Sequence, residues 1–202
     1  MNFRSGREER DGWAELSSTT HFDDGHVSVA TREVLTPRRR KAQRWTVVHR
    51  KTAVVIAPMT ADGKLILVRQ ERIPIRATIW EVPAGQIDDA GELDRAAIEK
   101  VALRELREET GYELSASGEL LPLGLFFSSP GFTDERAHLF LARNVELSAK
   151  GHAHTESESI VDCRSFTPRE IGRMIGNGEI SDANTLAICA RLIAAGLLSL
   201  YA

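Results

Sequence analysis

The sequence predicts an α+β fold, arranged as an α/β/α sandwich. Segments rich in β-branched and aliphatic residues lie at 44–81 and again at 120–145. One long helical pattern lies between them, and two further helical patterns follow at the C-terminal end. Strands on either side of a central helix, with helices at the end, are typical of a sheet covered by helices. The 202 residues fit one ordinary domain.

The first elements are strands. Residues 1–20 show no sustained period, and we expect them to be loosely ordered. "RWTVVHRKTAVVIAPMT" (44–60) and "KLILVRQERI" (64–73) predict two paired strands, because the Asp62-Gly63 dipeptide between them favours a hairpin turn. "TIWEVPAGQID" (78–88) then predicts a strand that ends in a loop at Pro83 and Gly85.

The central helix is indicated by an apolar stripe. Ile98, Ala102 and Leu106 recur every four residues, and Gly111 stands where a helix C-terminal glycine is expected. Asp89 with Glu92 predicts a capping box at its start.

The second half of the chain predicts strand, loop and strand over residues 120–145, followed by two helices. Thr167 is the predicted N-cap of the first helix, with Pro168 at its first position. The apolar C-terminal run at 186–202 is interrupted by Arg191 and short for a membrane span, so it predicts a buried helix. Cys163 and Cys189 are interpreted as reduced packing residues.

Charge and leader signals exclude some functional classes. A net charge of −3 gives the chain no electrostatic reason to coat nucleic acid, and we interpret the basic run at 38–41 as a solvated connection. The polar N-terminus shows no secretory signal, so a cytoplasmic location without membrane attachment is expected.

A cluster of carboxylates lies at the end of the central helix, in "RELREETGYEL" (104–114). Glu105 and Glu109 are one turn apart, and Glu108 is three residues from Glu105, so the three carboxylates can converge. A hard divalent cation such as Mg²⁺ would relieve their repulsion. A solvated helix face with an Arg104–Glu108 salt bridge is the alternative that the helix pattern alone leaves open.

The same residues carry a resemblance to a known family. "RELREETGY" resembles the second half of the Nudix box, the pattern G-x5-E-x7-R-E-U-x-E-E-x-G-U with U an apolar residue. "LVRQERIPI…WEVPAGQID", "SSPGFTDERAHLFLA", "ESESI" and "GNGEISDANTLAI" are similar, in the same order, to the surroundings of that box in the ADP-ribose pyrophosphatase branch of Nudix hydrolases. The resemblance covers residues 45–195.

The chain departs from the family pattern in one place. The segment between Gly85 and Arg104 is five residues longer than the pattern allows, and Glu92 is the closest equivalent of the first-half glutamate. The extra residues lengthen either the loop before the helix or the helix itself.

The resemblance implies roles for individual residues. Glu105 and Glu109 are implied as the principal Mg²⁺ ligands, with Glu108 assisting and the carbonyl of Ala84 completing the site. Arg104 is implied to hold the glutamates in place. Of Glu156 and Glu158, one is implied as the general base and the other as a further metal ligand, in an order that the sequence leaves open. Implied substrate-binding residues are Arg72, Glu81 and Glu135.

The resemblance also implies the activity and the assembly. The expected fold is a mixed β-sheet between helices, with residues 1–44 as an N-terminal β segment involved in homodimer formation and 45–202 as the Nudix hydrolase domain. The expected reaction is Mg²⁺-dependent hydrolysis of ADP-ribose to AMP and ribose 5-phosphate, with Mn²⁺ as an alternative metal. A nucleotide-sugar pyrophosphatase, or a Nudix domain that binds ADP-ribose without cleaving it, remain the alternatives.

Overall fold

The described residues form two β-sheets and three α-helices. The computed structural model describes residues 12–87, 94–149 and 159–201. The N-terminal sheet is antiparallel and has the strand order β1-β2-β3, with β1 at Ala14–Asp23, β2 at Val27–Leu35 and β3 at Gln43–Arg50.

The main sheet has seven strands. They are β4 (Ala53–Thr60), β5 (Leu65–Arg72), β6 (Ala77–Glu81), β7 (Ala84–Gln86), β8 (Tyr112–Phe127), β9 (Arg136–Leu147) and β10 (Ile160–Phe166). The order is β10-β5-β4-β9-β8, with β6 paired to β5 and β7 paired to β4. Strands β4 and β9 run parallel and the other pairs run antiparallel, so the predicted mixed sheet is confirmed.

Helices cover both faces of this sheet. They are α1 (Arg95–Thr110), α2 (Pro168–Gly176) and α3 (Ala183–Ala194). Along β4, the fully buried Val54 and Ile56 pack in one core with Leu106 of α1, whereas Val55 packs in the other core with Ile188 of α3. Alternate side chains of the strand enter opposite layers, so the predicted α/β/α sandwich is confirmed.

The N-terminal region is more regular than the sequence predicts. Residues 14–20 belong to β1, so the prediction of loose order is wrong for them. All but the first residue of β1 are exposed, so no buried face imposes an apolar alternation that the sequence would show.

The segment 44–60 is also not one strand. β3 ends at Arg50, β4 begins at Ala53, and the two belong to different sheets. Neither Gly nor Pro marks the break, which is why the apolar run conceals it. The predicted division of the chain at residue 44 falls inside β3, and that division stays a prediction.

The ends of α1 agree with the sequence in part. Gly111 ends the helix in a left-handed conformation, with φ of 73°, as predicted. The N-cap is Asp94, whose side chain accepts a hydrogen bond from the Ala97 N–H. The predicted capping box at Asp89 and Glu92 lies outside the described residues. The cap that the structure describes is Asp94, the residue before Arg95.

Several other local predictions are confirmed. Asp62-Gly63 forms the hairpin turn between β4 and β5, and Thr167 forms a capping box at the start of α2. Cys163 and Cys189 are free thiols, half-buried and buried respectively. The basic run 38–41 lies exposed between β2 and β3.

Within the described ranges, no helix is both long and apolar enough to cross a membrane.

Candidate active site

Two glutamates of α1 are buried side by side in the fold. Glu105 is 5% exposed and Glu109 is 3% exposed, and they lie one helical turn apart on the face that packs against the sheet. Glu108 is only partly buried, on the neighbouring face of the helix. Carboxylates are rarely buried unless they are paired or coordinate a metal, so this pair marks a candidate functional site.

The turn between β6 and β7 lies against these carboxylates. The backbone N–H of Ala84 donates a hydrogen bond to Oε2 of Glu109, at 3.1 Å. The next residue, Gly85, backs directly onto the carboxylate of Glu105. The structure therefore brings Ala84, Glu105 and Glu109 together. The implied role of the Ala84 carbonyl as a metal ligand stays a prediction.

Arg104 pairs with two carboxylates of the cluster. Its guanidinium donates to Oε1 of Glu105, at 2.5 Å, and to Oε2 of Glu108, at 2.7 Å. These charge-assisted bonds offset the repulsion between neighbouring carboxylates and hold two of them in position. The Arg104–Glu108 pair at i,i+4 is present in the structure, and the implied role of Arg104 in holding the glutamates for catalysis stays a prediction.

Arg72 and Glu81 form a second charged pair, at the ends of β5 and β6. The guanidinium of Arg72 makes a two-pronged contact with the Glu81 carboxylate, with N···O distances of 2.8 and 2.7 Å. Burial raises the pKa of Glu81 above its ordinary value, although the bonds from Arg72 act in the opposite direction.

The electrostatic surroundings connect this pair to the glutamates of α1. Desolvation acts to lower the pKa of Arg72, but the hydrogen bonds and charge of Glu81, together with the charges of Glu109 and Asp182, outweigh it and raise the pKa. Arg72 is therefore a fixed cation in a field of carboxylates. Such a cation suits an anionic phosphate group.

Glu135 is held by contacts outside this cluster. Its carboxylate accepts a hydrogen bond from the Ser128 hydroxyl, at 2.6 Å, and forms a salt bridge with Arg50 of β3, at 3.0 Å. The same loop is tied to β3 by the Trp45 indole N–H, which donates to the Gly131 carbonyl at 3.0 Å. The N-terminal sheet therefore fixes the loop that carries Glu135.

The two glutamates expected to supply a base, Glu156 and Glu158, lie outside the described residues, as does Glu92. The residue that follows them, Ser159, is bonded through its carbonyl to the Glu71 N–H at 3.0 Å, and its hydroxyl also contacts the Glu71 carboxylate. Glu71 is the immediate neighbour of Arg72 on β5. Ser159 therefore lies beside the end of β5.

The donor set is compatible with a magnesium ion. In the described part of the chain, no three Asp, Glu, His or Cys side chains are grouped as a metal site. Magnesium, however, usually binds through one or two carboxylates together with waters and substrate phosphates. Oxygen ligands of that kind are available from Glu105, Glu109 and the Ala84 carbonyl. This small set suits Mg²⁺ better than a metal whose ligands must all come from the protein.

One contact at this site has no signal in the sequence. The hydroxyl of Thr185, in the first turn of α3, accepts a hydrogen bond from the Val82 N–H at 2.9 Å. The two residues are 103 positions apart and both are buried. The Asp182 N-cap marks the start of α3, but no sequence pattern indicates which element that helix end contacts.

Known proteins resemble this chain in both sequence and fold. Residues 48–187 match the NUDIX domain family. An ADP-ribose pyrophosphatase from Bacillus subtilis (strain 168) is 35% identical over 145 residues, which cover 72% of this chain and 74% of the relative. A methanol dehydrogenase activator from Bacillus methanolicus is 34% identical over 165 residues, which cover 82% of this chain and 84% of the relative.

A solved structure extends the likeness to the fold. The crystal structure of an ADP compounds hydrolase superposes with a TM-score of 0.72 at 16% identity, and the match covers 95% of this chain and 100% of that chain. The sandwich, the paired glutamates of α1 and these similarities agree. The chain is therefore a Nudix hydrolase and belongs to the branch of that family that contains ADP-ribose pyrophosphatases.

Proposed function

We propose that the protein hydrolyses the pyrophosphate bond of a nucleoside diphosphate derivative in the presence of Mg²⁺, and that ADP-ribose is its substrate. The products are AMP and ribose 5-phosphate. The observation that carries the proposal is the burial of Glu105 and Glu109 against the Ala84 turn. The similarity to a Bacillus subtilis ADP-ribose pyrophosphatase supports the choice of substrate.

The residues of the chain divide the chemistry among them. Mg²⁺ would be held by Glu105, Glu109 and the Ala84 carbonyl. When bound there, it would neutralise phosphate charge and lower the pKa of a bound water. Arg104 keeps the Glu105 carboxylate oriented through its 2.5 Å contact. Glu108, whose carboxylate is bonded to Arg104 at 2.7 Å, assists from the adjacent face.

The substrate is held by the cation of Arg72, which faces a phosphate, while Glu81 fixes the guanidinium. Glu135, at the end of the loop that Trp45 ties to β3, contacts the part of the substrate that Arg72 does not bind. A carboxylate of Glu156 or Glu158 takes the proton of the attacking water. The new P–O bond forms to that water oxygen, and the bridging P–O bond breaks with its electrons on the departing phosphate.

We also propose a homodimer that forms through the N-terminal β segment. The N-terminal sheet exposes large apolar side chains on more than one strand, including Leu16, Phe22 and Trp45, at 59%, 53% and 58%. Burial of these side chains against a second copy of the chain would remove their apolar surface from water. Light scattering of the purified protein tests the proposal, and a monomer at micromolar concentration would contradict it.

The substrate is tested with a panel. Purified protein is incubated with ADP-ribose, ADP-glucose, UDP-glucose, NADH and diadenosine polyphosphates, with and without Mg²⁺, and the products are separated by ion-exchange chromatography. We expect AMP and ribose 5-phosphate from ADP-ribose, and only with metal. If a nucleotide sugar is cleaved faster, that nucleotide sugar and not ADP-ribose is the substrate. If ADP-ribose binds tightly but gives no product, the protein is a nucleotide sensor and not an enzyme.

A further inference from the structure

The turn that joins β6 to β7 is held by a different element at each residue. The side chain of Glu81 is bonded to Arg72 of β5, and the carbonyl of Pro83 accepts from the Ile56 N–H of β4 at 3.0 Å. The N–H of Ala84 donates to Glu109 of α1 at 3.1 Å. The remaining residue, Val82, is the one held by α3.

A buried hydrogen bond joins Val82 to α3, in addition to the apolar core that both enter. Val82 is 1% exposed and Thr185 is fully buried, and the Val82 N–H donates to the Thr185 hydroxyl oxygen at 2.9 Å. Water cannot replace that acceptor without entering the core. A buried N–H that loses its acceptor is strongly disfavoured, so the turn must shift if the hydroxyl is removed.

Thr185 is itself fixed by the start of its helix. Its N–H donates to Oδ2 of the N-cap residue Asp182, at 2.8 Å. The side chain of Asp182 therefore anchors the first turn of α3, and that turn presents the Thr185 hydroxyl to Val82. The chain of contacts runs from Asp182 to Thr185 to the turn.

We infer that Thr185 is a positioning residue for the active site, which sets the place of the Ala84 carbonyl and the Glu81 carboxylate through Val82. The inference rests on the proposed function in that it treats the Ala84 turn as one wall of the metal site. Because Thr185 is fully buried, it acts through Val82 and not by direct contact with metal or substrate. Residues that support a metal ligand from behind have effects of about 10- to 100-fold on metal affinity or activity when they are lost.

The test compares Thr185→Val with two matched variants. Valine keeps the branched shape of threonine but removes the acceptor, whereas Thr185→Ser keeps the hydroxyl. Ile188→Val is the control for stability, because Ile188 lies one turn further along α3 and is also fully buried, with an apolar side chain. Each protein is examined for thermal stability, for Mn²⁺ affinity by electron paramagnetic resonance, and for hydrogen exchange of peptides that span residues 80–86.

We expect Thr185→Val to weaken Mn²⁺ binding by about tenfold and to accelerate exchange at residues 82–84. We expect Thr185→Ser to keep the wild-type Mn²⁺ affinity and exchange rate, and Ile188→Val to leave both of these quantities unchanged. The inference is overturned if Thr185→Val exchanges and binds Mn²⁺ as the wild type does, or if Ile188→Val has the same effect at equal loss of stability.

One further variant, Glu109→Gln, separates this inference from the proposed function. If Glu109→Gln binds Mn²⁺ as tightly as the wild type does, the metal site is wrongly assigned and the proposed function fails. Hydrogen exchange of residues 82–84 needs neither metal nor substrate. It therefore decides whether Thr185 holds the turn even in that case.

Discussion

Gly85 and Glu105 lie so close together that no side chain fits between them. A Cβ atom built on Gly85 would fall 2.0 Å from Cδ and 2.3 Å from Oε1 of the Glu105 carboxylate. Contacts shorter than 3.0 Å are essentially never made by real Cβ atoms. The glycine that follows Ala84 is therefore required by close approach, because the carboxylate occupies the space a side chain would take.

A substitution at Gly85 should disable the site with little harm to the fold. In Gly85→Ala the new methyl group displaces the Glu105 carboxylate, and a misplacement near 1 Å costs roughly 100-fold in rate. The measurement is kcat for the preferred substrate at saturating Mg²⁺. Gly176→Ala is the control, because a Cβ at Gly176 meets nothing within 4 Å. Wild-type kcat in Gly85→Ala would show that Glu105 is not a ligand.

The Arg72–Glu81 pair predicts an effect on substrate binding. In Arg72→Lys a point charge replaces the planar fork, and one of the two bonds to Glu81 is lost. We expect KM to rise about tenfold with a smaller change in kcat, as for the loss of one charge-assisted bond. Arg69→Lys, at an exposed position of the same strand, should leave KM unchanged. A wild-type KM for Arg72→Lys would remove Arg72 from the cleft.

Replacing Arg104 by lysine should lower activity more than the same change at Arg143, although both side chains are exposed. Lysine cannot donate to Glu105 and Glu108 in the same fixed geometry, so the carboxylates lose their orientation. We expect Arg104→Lys to lower kcat by about 10-fold or more. Arg143→Lys, which affects an exposed pair with Glu119, serves as the control in the same assay. Equal kcat values for the two variants would count against an orienting role.

Cys189 predicts a fall in stability at alkaline pH. Burial raises its pKa from 9.0 to about 11. Between these values the unfolded chain binds fewer protons than the folded chain, so the free energy of unfolding falls as pH rises. Two pKa units correspond to at most about 3 kcal/mol.

The measurement is urea unfolding of wild type and Cys189→Ala from pH 7 to pH 11. Alanine lowers stability at pH 7 because it leaves a cavity, but it removes the titrating thiol. We therefore expect its stability to fall less steeply above pH 9. Parallel curves for the two proteins would exclude Cys189 as a source of the pH dependence.

Local patterns made much of the fold and half of the site predictable. The 16 residues of α1 contain its apolar stripe and both Glu105 and Glu109, and Gly111 follows directly. Helix periodicity alone places those carboxylates on one face. The order of motifs around them then indicates the family and, through it, the role of the Ala84 turn.

Other features depend on contacts that a linear pattern does not encode. The break between β3 and β4 is invisible in the sequence because neither Gly nor Pro separates the two strands. The strand β10 and the bond from Val82 to Thr185 depend on segments that meet only in the folded chain. Glu156 and Glu158 lie outside the described residues, so their roles as base and ligand stay predictions.

We propose that Glu105 and Glu109 hold the metal ion that makes ADP-ribose hydrolysis possible. The most direct measurement is the rate of AMP release from ADP-ribose as a function of Mg²⁺ concentration, for wild type, Glu109→Gln and the exposed control Glu113→Gln. We predict that Glu109→Gln loses at least about 100-fold in rate, as expected when a charge-stabilising group is removed, while Glu113→Gln keeps the wild-type rate. Full Mg²⁺-dependent turnover by Glu109→Gln would contradict the account.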